Sequence, residues 1–558
     1  MRKIFFTTLA FMSFLAYQTE AKSFKRGFGE NTLYYVEDLQ ALLPGNSWYY
    51  NWGNEPAAQV ADYVGSEKGI EFIPQAWSSY DENKLRAYFK AHPNDKYLLG
   101  FNEPNFPDQA NMLPSEAAEK WHSLEALAKE LNLTLVGPAM NYAGKPLKDG
   151  KVWNPFDWMD AFITAYKEKY GTEPHYDYTA VHAYMDAANS MMDFVNKFAE
   201  RYGKKVWLTE FCAWESETLT ADDQQKYMID KVKELETSDN VYRYAWFKAR
   251  NANKYPYYNL LYYPTKTIAK GTLTDLGFAY VHMSEFDKDK YYGIGEAIPS
   301  NGFIDCNLTH IQQSADPRAL DKTELYLNAN NLSATYQVDV PEDGTYKLVI
   351  RYARAADDLT ARIHILDQDG NYLVKRTEVE ATSGWNNYVA KAFDVTLKAG
   401  KQKITIKKAS FAPMALSLVK LAKDIDPNDK DMATLTGEEI KKPEAGGGET
   451  NPDTPSTPGE NQSFDKEVVV SDEAFKFDNN DKYYVIYLDG TTQKANISDD
   501  RFVNIGDNGG SQNSYLWENT FSYGDATGKN SFGVEGEYKA IVTSDKGWSG
   551  MGYNIDGS

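Results

Sequence analysis

Cysteine is almost missing from this chain: 558 residues hold two, Cys212 and Cys306, in no CxxC or Cys/His cluster. A disulfide framework and a thiolate metal site are both excluded by that count. The seven histidines are scattered, so no catalytic metal and no cofactor is expected. Positive charge is also short, with 59 Lys and Arg against 80 Asp and Glu and a net charge of −21. A chain this acidic repels phosphate backbones and anionic headgroups, so nucleic acid is not an expected partner.

What the chain has in quantity is length and aromatic rings. Its 558 residues predict two to four domains. Forty tyrosines, 27 phenylalanines and 12 tryptophans are more than a solenoid or an unstructured chain needs; most are expected to fill cores, and the remainder to serve as platforms for sugar rings. The first 21 residues place Arg2 and Lys3 before an apolar stretch and end in Thr19-Glu20-Ala21. That order is the pattern of a secretory signal, not of a membrane span, and predicts export to periplasm, cell surface or medium.

Between 22 and 290, short apolar runs alternate with longer amphipathic ones, as in a parallel sheet with crossover helices. The runs at 24–29, 46–52, 71–77, 97–103, 133–141, 178–184, 206–211 and 242–248 read as eight strands, with helices at 115–130, 154–170, 188–202 and 221–236. A unit of about 270 residues with eight strands predicts a (β/α)8 TIM barrel, for which ~250 residues is typical. From 291 to 423 the pattern turns to alternating runs between Gly, Asp and Asn, which predicts a β-sandwich. Residues 424–465, with Gly446–Gly448 and Pro452, Pro455 and Pro458 among charges, read as a disordered linker. Residues 466–558 resume strand-like runs and read as a second β module, whose abrupt end at Ser558 suggests truncation, with Trp517 and Trp548 as exposed aromatics.

Barrel enzymes draw their sites from the C-terminal ends of strands. Glu103 closes the fourth run and Glu210 the seventh, and strands four and seven face each other across an eight-stranded barrel. One carboxyl to protonate a leaving oxygen and one carboxylate opposite is the minimum equipment for cleaving a glycosidic bond. Sequence leaves a structural alternative open for each, a Glu paired with a cation at the barrel mouth. His182 and Tyr184 close run six, and a side chain there is placed to hydrogen-bond Glu210. Trp52, Trp77, Tyr142, Trp214 and Trp246 at strand ends are candidate sugar platforms. Lys248, two residues beyond Trp246 and on the same face of an extended strand, is a candidate sugar or carboxylate partner.

Asn102-Glu103 on strand four with Glu210 on strand seven resembles the clan A glycoside hydrolases, which are retaining. The Gly100–Asn105 motif and the segment Trp207–Trp214 bring the likeness closer to glycoside hydrolase family 128, a family of β-1,3-glucanases. The resemblance implies that Glu103 is the acid/base, that Glu210 is the nucleophile and that Asn102 binds the substrate 2-hydroxyl. The 291–423 segment resembles a family 6 type carbohydrate-binding module in its Val340–Tyr346, Ile350–Ala353, Gly384-Trp385 and Leu397–Gly400 stretches. Its closing run Ala415–Val419 departs from such modules in lacking an aromatic, and Trp385 is expected to pack. The expected function is a monomeric, retaining endo-β-1,3-glucanase acting on a polysaccharide. A hydrolase of another β-glycan, such as mannan or xylan, and a non-catalytic glycan-binding barrel are the alternatives.

Overall fold

A computed structural model describes residues 23–432, apart from 215, 252–254, 356–358 and 427, and two short strands, Ser514–Leu516 and Met551–Tyr553, which pair antiparallel. The expected signal segment, the part of the expected linker from 433 to 465, Trp517 and Trp548 lie outside the described residues. By contacts, the chain forms two compact units, one running to Lys288 and taking in Thr309–Gln313, the other holding the rest.

The first unit is the barrel. Its strands are β1 (Arg26–Gly29), β2 (Trp48–Tyr50), β3 (Glu71–Phe72), β4 (Tyr97–Leu99), β5 (Thr134–Met140), β6 (Tyr178–Ala183), β7 (Val206–Phe211) and β8 (Val241–Phe247). They pair in parallel in the order β3-β2-β1-β8-β7-β6-β5-β4. The remaining seam closes just beyond β3: Leu99 N–H donates to the Pro74 carbonyl at 2.9 Å and Ala76 N–H to the Leu99 carbonyl at 2.8 Å. The eight runs read from the sequence are thus the eight strands of a closed barrel.

Helices α1 (Val36–Leu42), α2 (Glu82–Ala91), α3 (Pro114–Glu130), α4 (Pro155–Tyr170), α5 (Ala188–Tyr202), α6 (Ala221–Thr237) and α7 (Asp275–Val281) surround it. Their ends follow local chemistry. Pro114 and Pro155 open α3 and α4, where a missing N–H costs no helical bond, and Gly171 and Gly203 end α4 and α5 in the left-handed region. The β2–β3 crossover departs from the regular pattern, with two 3-10 turns, Ala61–Tyr63 and Ser66–Lys68, in place of an α-helix.

Aromatic rings set against very small residues fill the barrel. Trp48, Tyr50 and Trp207 are fully buried with Ala139, Ala180 and Ala245, and Trp48 and Trp207 meet edge to face at 5.1 Å. Gly27 is required there, because a Cβ on it would lie 2.5 Å from the Trp48 indole. At the N-terminal end of the strands, Arg243 is enclosed by the rings of Phe24, Tyr97, Trp48 and Trp207, with Phe24 at 4.2 Å. Its Nη1 pairs with Glu71 Oε2 at 2.6 Å. This arginine–glutamate pair lies at the N-terminal end of the strands, away from Glu103 and Glu210.

The second unit is the sandwich. One sheet runs, in hydrogen-bonded order, Asp305–Asn307, Ser333–Val340, Gly400–Lys408, Ala361–Leu366 and Tyr372–Val379. The other carries Thr323–Leu327, Met414–Ala422, Gly344–Arg354 and Gly384–Leu397, with Ala297–Pro299 along Met414–Ala422. Trp385, expected to pack, is exposed and meets Tyr326 edge to face at 5.7 Å. Residues 424–426 and 428–432, which composition assigns to the linker, lie on the sandwich. Lys420 Nζ reaches Asp429 at 2.7 Å and Asp431 at 2.9 Å, and Met432 is buried with Val349, Ala390 and Ala422. Polar composition concealed one apolar anchor and a matched cation.

Replacing Arg243 by Ala leaves Glu71 buried without its cation, so Arg243→Ala is expected to destabilise the barrel by about 3–5 kcal/mol. Denaturant unfolding measures this, and a loss under about 1 kcal/mol contradicts the assigned pairing.

Candidate active site

The C-terminal ends of the strands form one cleft of about 850 Å³, lined among others by Asn31, Trp52, Trp77, Asn102, Glu103, Tyr142, Tyr184, Glu210, Trp214 and Lys248. This volume lies within the range of about 300–1,000 Å³ usual for ligand sites. Glu103 and Glu210 sit at its floor, 6 % and 5 % exposed. One ligating atom each from Glu103, His182 and Glu210 all lie within 4.8 Å of one another.

Glu103 reaches the floor through its backbone. Strand β4 ends at Leu99, and the Asn102-Glu103-Pro104 turn that follows puts Glu103 at a φ of 43°. A residue with a Cβ in this region costs roughly 1–2 kcal/mol. The turn is fixed by Glu103 N–H to the Ala139 carbonyl at 2.9 Å and by Phe106 N–H to the Glu103 carbonyl at 2.9 Å. Trp52, following β2, takes a similar φ of 61°, which turns its indole toward β7. Gly100 lets the turn pass Trp121, because a Cβ there would lie 2.7 Å from the indole and 2.7 Å from the Val136 carbonyl.

The two carboxylates have different partners. Glu210 accepts from Trp52 Nε1 at 2.8 Å, from the Tyr184 hydroxyl and from the Tyr50 hydroxyl at 3.3 Å. Glu103 accepts from Asn141 Nδ2 at 2.9 Å and lies 2.8 Å from His182 Nδ1. His182 Nδ1 is also 3.4 Å from Glu210 Oε2. Of the two residues that close run six, Tyr184 is the one that hydrogen-bonds Glu210, while the shorter contact of His182 is with Glu103.

Burial and the Glu103 charge push Glu210 above the usual carboxylate range, against the pull of His182, Tyr184 and Trp52. Burial also acts upward on Glu103, but the His182 imidazole and the Asn141 amide outweigh it and hold that carboxyl low. Burial would lower His182, and the two carboxylates raise it overall. Tyr50 and Tyr184 are pushed well above the phenol range by burial and by Glu210, so both remain hydrogen-bond donors.

Glu103, His182 and Glu210 are also the one group of three potential metal ligands this close among the described residues. The indole, phenol and amide hydrogens aimed at their oxygens suit anions and reacting sugars better than a cation.

Most of the residues singled out in the sequence meet in this cleft. Trp52, Trp77, Asn102, Tyr142, Tyr184, Trp214 and Lys248 line it. Asn102 is oriented by Gln75, whose Nε2 donates to Asn102 Oδ1 at 3.3 Å, and by Gln109, which accepts from Asn102 Nδ2 at 3.3 Å. Lys248 donates to Asn31 Oδ1 at 3.0 Å. Trp246 is the exception: it is fully buried, donates to the Tyr258 carbonyl at 2.8 Å, and packs on Phe211 and Tyr280. Strand β8 directs it into the barrel wall and ends at Phe247, so Lys248 does not share its face and enters the cleft alone. Tyr50 and Asn141 were not singled out. Tyr50 reads as a core residue within an apolar run, while Asn141, a polar group closing run five, carried the same positional signal as Glu103.

Comparison with known proteins agrees with this geometry. Residues 30–280 match the glycosyl hydrolase catalytic core family, and 306–421 match carbohydrate binding module family 6. Among solved structures, a family 128 subgroup II endo-β-1,3-glucanase from Pseudomonas viridiflava is 37% identical. The match covers 98% of that chain and 47% of this one, with a TM-score of 0.41. This chain belongs to glycoside hydrolase family 128. A second family 128 subgroup II endo-β-1,3-glucanase, from Sorangium cellulosum, is 30% identical over 97% of its own length and 46% of this chain, with a TM-score of 0.39. No curated protein matches the chain. In this family 128 chain the catalytic-core match ends at residue 280, and the family 6 module match, 306–421, falls in the sandwich.

The reassignment of Trp246 separates two variants. Trp246→Ala is expected to destabilise the protein by about 3–5 kcal/mol as a core truncation. Trp214→Ala, at a residue 45 % exposed in the cleft, should leave the melting temperature almost unchanged and raise KM. Thermal melts and polysaccharide kinetics check both, and the reverse pattern contradicts the placement.

Proposed function

We propose that this glycoside hydrolase cleaves internal β-1,3-glucosidic bonds by double displacement, with Glu210 as nucleophile and Glu103 as acid/base. The carrying observation is the separation of the carboxylates, whose nearest ligating atoms lie within 4.8 Å. A direct attack on the anomeric carbon calls for carboxyls ~5–5.5 Å apart, whereas an inverting pair needs ~6.5–9.5 Å to admit a water. The substrate follows from the family 128 relatives, both endo-β-1,3-glucanases, together with a cleft lined by Trp52, Trp77, Tyr142 and Trp214. Rings of this kind stack on the apolar faces of sugars.

The roles follow from the donors. Glu210 takes hydrogen bonds from Trp52 and Tyr184, with the Tyr50 hydroxyl at 3.3 Å and shared with the Thr209 carbonyl at 2.9 Å, an environment for an anion throughout the cycle. Glu103 faces a group able to exchange a proton with it, His182. Burial and repulsion hold Glu210 up and His182 holds Glu103 down, which alone would suggest the opposite roles. The three groups titrate together. A proton on Glu103 removes the charge that pushes Glu210 up, and the donor pattern supports the assignment.

Attack by Glu210 on the anomeric carbon breaks the bond to the leaving oxygen, which takes a proton from Glu103. Water, deprotonated by Glu103, then displaces Glu210 from the same carbon. Asn102, held by Gln75 and Gln109 beside Glu103, is the candidate for the 2-hydroxyl contact. The charged and then apolar residues 1–21 support export, and the enzyme is proposed to work as a monomer outside the cytoplasm.

The test is hydrolysis of laminarin, mannan and xylan by wild type and two variants. Laminarin is expected to be cleaved to internal fragments with retained anomeric configuration by NMR. Glu210→Ala should lose essentially all activity, and Glu103→Ala should be rescued by azide on an activated aryl glucoside. Inverted product, or full activity in Glu210→Ala, contradicts the mechanism; preference for mannan or xylan contradicts the substrate.

A further inference from the structure

We propose that His182 is a positioning residue that holds the catalytic proton for Glu103, so that the general acid is loaded across the Glu103–His182 hydrogen bond and not from bulk water. The inference rests on the acid/base role of Glu103 and says where its proton resides. His182 is completely buried, with Nδ1 at 2.8 Å from Glu103 Oε1 and 3.4 Å from Glu210 Oε2. Its Nε2 is buried without a hydrogen-bond partner. The charged groups facing the ring are Glu103 from the turn after β4 and Glu210 from β7. Tyr184, just past its own strand, and Asn141 beyond β5 reach the same carboxylates as neutral donors.

The proton balance closes within these groups. In the resting site the imidazolium donates from Nδ1 to the Glu103 carboxylate, with a second proton on Nε2. Moving the Nδ1 proton to Glu103 gives a neutral carboxylic acid beside a neutral imidazole and leaves Nε2–H where it was. The unpartnered Nε2–H is thus common to both forms and does not oppose the transfer. Excluding water around a bound sugar weakens the support for separated charges, which favours the neutral pair and hence the acid form of Glu103. Glu103 then protonates the leaving oxygen and becomes a carboxylate facing the bare Nδ1 lone pair at 2.8 Å. This repulsion favours taking a proton from the incoming water in the second step, and that proton returns to Nδ1. One proton cycles between Glu103 and His182 over the whole turnover. The low carboxyl of Glu103 and the raised imidazole of His182 agree with this resting state.

The test compares wild type with His182→Asn, which keeps a donor toward Glu103 but cannot hold the proton, on laminarin and on an activated aryl glucoside needing no acid. Without His182 the site loses one of the places its proton can occupy, so the alkaline limb of laminarin hydrolysis should move down by about one pH unit or more. At a pH above both limbs, a displacement of about one pH unit should appear as a roughly tenfold loss of activity. On the acid side the loss should be smaller than on the alkaline side, for laminarin and the aryl glucoside alike. An unmoved limb, or an equal loss at every pH on both substrates, overturns the proposal. Should His182→Asn fail to fold, 15N NMR of wild-type histidines gives the same decision. At about pH 6 the free enzyme should contain one solvent-shielded imidazolium that becomes neutral in Glu103→Gln, and a neutral Nδ1–H ring in the free enzyme overturns the proposal. Unreduced laminarin hydrolysis by Glu103→Gln would instead refute the acid/base role itself.

Discussion

Two carboxylates buried within 4.8 Å of each other repel, and much of the barrel's upper end is arranged around that repulsion. Neither can be left bare in so enclosed a place. Glu210 is surrounded by indole and phenol hydrogens from the ends of β2 and β6, and Glu103 by an amide from the end of β5 and an imidazole from β6. The barrel makes this possible because it brings ends of strands distant in sequence within hydrogen-bond reach. Tyr50 and Glu210, 160 residues apart, meet across it.

The rest of the unit holds those ends in place. Large rings set against Gly and Ala give a rigid filling that does not depend on disulfides, and the Arg243–Glu71 pair takes its charge to the opposite end. Two of the left-handed residues, Trp52 and Glu103, are positions where the chain leaves its strands to aim a side chain inward. Local backbone cost at these points is carried by the packing beneath them.

How much could be read in the sequence followed from how local the signal was. Eight apolar runs at barrel spacing, with caps such as Asn154 and Thr220 between them, are local, and all eight became strands. The carboxylates at the ends of runs four and seven were legible for the same reason. What depends on tertiary position was not: Tyr50 looks like any core tyrosine until β7 is opposite it, and Trp246 looks like a platform until β8 turns it into the wall. The β2–β3 crossover, interrupted by Gly and Pro, gave no helical period because it has no α-helix. In the sandwich, the anchor at Met432 was hidden in a stretch of aspartates whose charge Lys420 partly offsets.

The central claim is that Glu210 attacks carbon while Glu103 handles the proton. It is tested most directly by trapping the intermediate with an activated 2-deoxy-2-fluoro glucoside and mapping the labelled peptide by mass spectrometry. The account predicts a covalent sugar on the peptide containing Glu210. A label on Glu103, or turnover of the reagent with inversion and no label, contradicts it.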